Sequence, residues 1–190
     1  MGRDATRRMR HNRKRNLAAM ITTKLHWVEG PWPGKLALAA RPRGGDWLED
    51  ELAAWRREGI SAVISLLTPE EEIDLDLAAE EWAAKSQGIK FWSFPILDRQ
   101  VPDPKSDLAK TLRKLDSELD AGRNAVLHCR QGVGRTGLAA ACLLVMNGIE
   151  PDAAVARLSA ARGVEVPETP EQRQWIDQFA KTFFSAHHHG

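Results

Sequence analysis

The chain contains no tyrosine, and only two of its 190 residues are cysteine. Two cysteines cannot knit a disulfide framework, and an unpaired thiol suits a reducing compartment, so a cytoplasmic protein is expected. Long apolar runs are missing as well. None reaches the roughly 20 residues that a membrane-spanning helix needs. Behind the pair Arg7-Arg8 only Leu17 to Ile21 is apolar, too short a stretch for the core of a signal peptide. Neither sign of charge dominates: the formal net charge is +1, which argues against a polyelectrolyte partner such as nucleic acid. No cluster of histidine, cysteine and carboxylate residues has metal-ligand spacing, so neither a metal nor another cofactor is expected. There is no internal repeat.

What is present reads as one globular domain with appendages. Hydrophobic residues make up 43% of the chain, enough for a sizeable core, and the length leaves no room for a second domain. Residues 1–22 form a basic arm in which Arg3, Arg7, Arg8, Arg10, Arg13, Lys14 and Arg15 crowd together without apolar periodicity. Residues 23–184 are the domain, and 185–190, with His187 to His189, a short tail.

Within the domain, strands and helices alternate. Lys35–Ala40, Ile60–Leu67, Ile89–Phe94 and Asn124–Cys129 read as strands. Trp47–Glu58 reads as a helix stopped by Gly59, Pro69–Ser86 as helical with a break near Asp74 to Asp76, and Lys105–Leu119 as a helix with Leu108, Leu112, Leu115 and Leu119 on one stripe. Further helices are expected over Leu138–Met146, Asp152–Ala161 and Pro170–Phe184. This alternation predicts an α/β sandwich with a central, largely parallel sheet flanked by helices.

The chemistry is concentrated in His128-Cys129-Arg130-Gln131-Gly132-Val133-Gly134-Arg135-Thr136-Gly137. The segment follows the apolar Ala125, Val126 and Leu127 and precedes a helical stretch, so it joins a buried strand to a helix N-terminus. Unpaired N–H groups and the positive end of the helix dipole make such a junction an anion site. Gly132 and Gly134 permit the backbone angles that turn successive N–H groups inward, which makes Arg130 to Arg135 the expected phosphate cradle. A helix N-terminus with a neighbouring cation lowers a cysteine's pKa from about 8.5 to roughly 3.5–7.5, so Cys129 is expected to be a thiolate nucleophile. Arg135 offers the planar fork that grips two phosphate oxygens. Thr136 can give a hydroxyl to the sulfur as it leaves, and His128 is placed to orient the loop from behind. The second cysteine, Cys142, lies among Ala139 to Val145 on an apolar helix and reads as a buried, inert thiol.

This string resembles the signature of cysteine-based protein phosphatases. Phe94-Pro95-Ile96-Leu97-Asp98, Val101-Pro102-Asp103 and Glu168-Thr169-Pro170-Glu171-Gln172 are similar to the small dual-specificity phosphatases, in the branch like the kinase-associated phosphatase, over roughly Leu36 to Phe179. The resemblance implies the dual-specificity phosphatase fold. It implies hydrolysis of phosphoserine, phosphothreonine or phosphotyrosine through a cysteinyl-phosphate. It also implies a water-orienting glutamine at Gln172, although that residue fits a helix N-terminal turn equally well.

Expelling an alkoxide or phenoxide requires a proton donor, and Asp98 follows a strand into a loop at the strand's C-terminal end, where open α/β sheets place their sites. Asp103 and Asp107 compete for that role, with Asp103 better read as a helix start ahead of Pro104. Glu70 to Glu72 follow Pro69 and read as dipole compensation at a helix start. Strict tyrosine phosphatases wall a deep pocket with tyrosine, which this chain lacks, so a shallower mouth is expected, with Trp27, Trp32 or Trp92 as substitute walls. Arg130 adds a cation that resembles one found in a phosphoinositide phosphatase, whereas Val133 stands where that enzyme has a second lysine. Phosphoinositide hydrolysis, RNA 5′-triphosphate hydrolysis and noncatalytic phosphate binding are the alternatives to a phosphoprotein substrate.

Overall fold

The computed structural model describes residues 22–187, so residues 1–21 of the basic arm and 188–190 of the tail lie outside the described residues. Five strands form one sheet: β1 (His26–Val28), β2 (Leu36–Ala40), β3 (Ile60–Ser65), β4 (Lys90–Ser93) and β5 (Asn124–Cys129), in the order β1-β2-β5-β3-β4. The four strands β2 to β5 are mutually parallel, as the alternation with helices demands. The three-residue β1 pairs antiparallel with β2 at the edge. It was not legible as a strand, because three residues carry no usable period.

Central strands buried on both faces read as continuous apolar runs, and Ala125, Val126 and Leu127 are fully buried. Side-chain alternation along β5 divides them. Ala125, Leu127 and Cys129 face one core with α4 (Leu108–Asp120), α5 (Gly134–Met146), α6 (Pro151–Arg162) and α7 (Pro170–His187). Val126 faces the other core, under α1 (Leu48–Arg57) and α3 (Glu80–Ser86). Helix α5 is buried along almost its whole length, which suits a sequence as apolar as Leu138 to Val145. The short α2 (Pro69–Asp74) follows β3.

Two expected boundaries shift. Helix α4 begins at Leu108, with the side chain of Asp107 accepting the Lys110 N–H at 2.8 Å. Asp103 is therefore not its cap; it closes a local turn by accepting the Lys105 N–H at 2.7 Å. Helix α5 starts at Gly134, inside the glycine-rich loop rather than after it.

Pairing of Ala40 with Cys129 and of Ser65 with His128 brings the C-terminal ends of β2, β5 and β3 to one edge. Among the described residues no helix is long and apolar enough to cross a membrane.

Candidate active site

The loop between β5 and α5 closes around Cys129. Gly132 adopts φ +70°, and a Cβ there would lie 2.3 Å from the Ala39 carbonyl oxygen, so only glycine fits. That conformation aims the Gly132 N–H at Cys129 Sγ, 3.2 Å away. Val133, the residue that caps α5, supplies no side-chain acceptor, so the first amides of the helix are left to whatever anion enters the loop. Cys129 is 3% exposed, and Arg130 and Gln131 stand out into solvent. Thr136 is fully buried, and its Oγ1 has no hydrogen-bond partner among the described residues.

Each inward N–H of such a loop leaves a carbonyl turned outward. Arg162, at the end of α6, holds two of them from behind, with Nε donating to Gly132 O and NH2 to Gln131 O, both at 3.0 Å. Its NH1 lies 3.2 Å from His26 Nε2, and His26 Nδ1 lies 3.3 Å from Ala161 O. A lone pair at Nε2 therefore faces the guanidinium, which requires a neutral imidazole carrying its proton on Nδ1. Burial and the charge of Arg162 both hold the His26 pKa below its ordinary range.

Arg135 is 1% exposed and tied on one edge. NH1 donates to Glu71 Oε2 at 2.6 Å and to Ile96 O at 2.8 Å, while NH2 donates to Glu71 Oε1 and to Asp98 Oδ1, each at 2.9 Å. The Nε–H has no protein partner among the described residues. Burial pushes the Glu71 carboxyl up, but the Arg135 hydrogen bonds, the Thr68 N–H and the nearby Arg130 outweigh it and hold the pKa low. For Arg135 itself, burial opposes the charge, and Glu71, Cys129 and Asp98 together restore it, so the guanidinium is held charged.

Glu71 thus does what sequence reasoning did not assign to it. Its backbone N–H and carboxylate form a capping box with Thr68 at the start of α2, and the same carboxylate anchors Arg135. Helix-dipole compensation is only part of its role.

Asp98 reaches the same cluster from the loop after β4, with a side chain 56% exposed. The following Arg99 adopts the left-handed φ +59°, uncommon for a side chain of its size, and donates to Glu168 Oε1 at 2.6 Å. Gln172, fully buried, fixes the same loop: Nε2 donates to Gln100 O at 3.0 Å while Oε1 accepts the N–H groups of Glu168 and Thr169. Through these bonds Gln172 ties the Asp98 loop to the start of α7, with the second Nε2 hydrogen unused among the described residues.

His128 lies on the sheet face opposite Cys129, with its ring 5.9 Å from that of Trp55. The tryptophans expected as walls are elsewhere. Trp32 is buried and donates to Asp116 at 2.8 Å, Trp92 lies under Lys114, and Trp27 lines a separate recess with Lys24, Trp55 and Arg57. Next to Asp98 the exposed apolar side chain is Leu97.

The family described as PTP-SAK, Swiss Army Knife protein, DSP-PTPase phosphatase domain, matches residues 22–181. Putative tyrosine phosphatase 197R of Invertebrate iridescent virus 6 is 36% identical over 91 residues, 46% of this chain and 33% of the viral protein. Cyclin-dependent kinase inhibitor 3 of Homo sapiens is 33% identical over 94 residues, 48% of this chain and 44% of the human one. The matched segment is thus less than half the length of either curated relative. The crystal structure of kinase associated phosphatase, with its catalytic-site cysteine substituted by serine, superposes with a TM-score of 0.78 at 22% identity, covering 87% of this chain and 98% of that one. That likeness is one of fold.

Proposed function

The chain belongs to the PTP-SAK family of DSP-PTPase phosphatase domains, and from that premise we propose that it hydrolyses phosphoserine, phosphothreonine and phosphotyrosine in proteins through a phosphorylated cysteine. The observation that carries this reading is the convergence on one loop of a thiol receiving the Gly132 N–H, a guanidinium anchored by Glu71, and the half-exposed carboxylate of Asp98.

The substrate phosphate enters the ring of loop amides from Arg130 to Arg135 and takes the open Nε edge of Arg135, displacing Asp98 from NH2. Cys129 Sγ attacks phosphorus in line with the ester oxygen. The S–P bond forms as the P–O bond breaks, and protonated Asp98 delivers its proton to the departing alkoxide or phenoxide. Water then attacks the cysteinyl-phosphate, gives its proton to Asp98, and releases phosphate and thiolate. The Thr136 hydroxyl, which has no protein acceptor, turns to the sulfur as it leaves. Gln172 holds the Asp98 loop through Gln100.

The exposed Leu97 beside Asp98, in a sequence without tyrosine to wall a deep pocket, favours phosphoserine and phosphothreonine alongside phosphotyrosine. The reactive thiol suits a reducing compartment, the cytoplasm. Phosphate release should be compared for phosphopeptides of the three kinds, phosphoinositide vesicles and 5′-triphosphorylated RNA, with a chelator present. Preferential release from phosphopeptides supports the reading, and release from RNA or lipid alone replaces it.

A further inference from the structure

Beside the cysteine loop lies a groove that the reaction scheme does not use. It is a cavity of about 470 Å³ whose apolar walls are Val133 of the loop, Val155 of α6, and Val166, Pro167 and Pro170 of the segment leading into α7. Glu165 and Glu168, both exposed, line it as well. The groove is continuous with the site. Val133 stands between Gly132, whose N–H meets the sulfur, and Gly134, where a Cβ would lie 3.0 Å from Glu168 Oε2. Glu168 Oε1 in turn holds Arg99, the residue after Asp98. The charge of the groove is negative. Arg173 also lines it but pairs with both Asp152 and Asp177. Glu168 has Arg99 as its partner, and Glu165 has no ion-pair partner among the described residues. Four carboxylates thus meet two guanidiniums. The other cations of the loop are placed elsewhere: Arg162 donates to the Gln131 and Gly132 carbonyls, and Arg130 lies near Glu71 of α2.

We propose that this groove binds a lysine or arginine that flanks the phosphorylated residue of the substrate, with Glu165 and Glu168 as the specificity-determining residues. The inference rests on the phosphoprotein reading given above. A phosphorylated residue seated in the loop carries its own chain across the rim, so its neighbours meet what lies beside the loop. A long cationic side chain matches both features of the groove. Its methylene stem packs on the valine and proline walls, while its head stays in water and reaches the carboxylates. An apolar side chain would cover the walls and leave the carboxylates unused, and an acidic one would be repelled. Because both glutamates are exposed, the gain is modest and is screened by salt.

The test is kcat/KM for phosphothreonine peptides that are identical except for a lysine, an alanine or a glutamate placed at each flanking position in turn. With wild type, one flanking position should favour lysine over glutamate by about 3- to 10-fold, a ratio that falls as salt is added. Glu165→Lys should reverse the order at that position, and Glu168→Gln should shrink the ratio there. A flat scan overturns the proposal, and so does a lysine preference that Glu165→Lys leaves unchanged. The same scan on a full chain in which the seven cations among residues 3–15 are replaced by glutamine separates the substrate from the basic arm as occupant. An unchanged ratio supports the substrate. A lysine preference that emerges only in that chain means that the arm fills the groove, which overturns the proposal. Binding of the same peptides to Cys129→Ser, followed by fluorescence anisotropy, needs no turnover, so the two readings fail separately. Lysine-selective binding without phosphate release by wild type sinks only the phosphatase reading. Phosphate release without the Glu165-dependent ratio sinks only this inference.

Discussion

Arg135 and Glu71 meet edge to edge, NH1 to Oε2 at 2.6 Å and NH2 to Oε1 at 2.9 Å, across 64 residues of sequence. The pair fixes the guanidinium plane before any phosphate arrives, so the free Nε edge needs no further ordering.

Glu71→Gln should therefore lower kcat/KM by about 10- to 100-fold, although Glu71 touches no substrate. Arg135→Lys, which keeps the charge and loses the fork, should cost about 10²–10³-fold. Breaking a buried pair by removing one partner costs about 3–5 kcal/mol, and Glu71→Ala should fall at the lower end because its side chain keeps 13% exposure. Steady-state kinetics and denaturant melts measure both; unaltered kinetics for Glu71→Gln would mean that the Arg135 plane is fixed by the loop alone.

The acid is tested by leaving-group dependence. Asp98→Asn should slow hydrolysis of alkyl phosphates by about 10²–10⁴-fold and that of activated aryl phosphates far less, because a good leaving group departs unprotonated. It should also remove the alkaline limb of the pH–rate profile on the alkyl substrate. Asp103→Asn should do neither, since Asp103 only closes a turn on Lys105. Asp107→Ala should cost about 0.5–2 kcal/mol of stability as the α4 cap. A leaving-group effect that appears for Asp103 and not for Asp98 reassigns the acid.

Acidification should loosen the back of the loop. His26 has its pKa held below the ordinary 6.5 by burial and Arg162. Its contribution to stability is therefore complete above 6.5 and is lost as pH falls from there through the folded value. Glu71, held below the ordinary 4.5, behaves likewise in the next window down. Unfolding free energy measured against pH should decline first in the histidine window, and His26→Gln should flatten that part alone. An unchanged pH curve in His26→Gln contradicts the His26–Arg162 contact.

The two thiols should differ sharply. Cys142 is buried, and burial pushes its thiol well above the ordinary range. Peroxide should oxidise Cys129 first, reversibly, with protection by phosphate, and leave Cys142 intact. Mass spectrometry that finds Cys142 modified ahead of Cys129 refutes this ordering.

The loop around Cys129 was legible in the sequence because its geometry is local: a strand end, two glycines and a helix start fall within ten consecutive residues. That Asp98 would lie beside this loop was legible for a related reason, since a residue at the C-terminal end of a parallel strand stands at the same edge of the sheet as Cys129. Glu71 and Arg162 were not, because each meets the loop only after folding. Glu71 hid inside a run of three glutamates that a helix start already explained. Arg162 looked like an ordinary basic residue in a last helical turn. The start of α4 was misplaced because Asp103-Pro104 carries the local signal of a cap, whereas Asp107 has the geometry.

The central claim is a covalent bond between phosphorus and Cys129. The direct measurement is acid-quenched, millisecond mixing of the chain with an aryl phosphate, followed by peptide mass spectrometry. A phosphate on the peptide carrying Cys129, formed in a burst and absent in Cys129→Ser, is the predicted result. Turnover by Cys129→Ser, or phosphate trapped on any other residue, would contradict it.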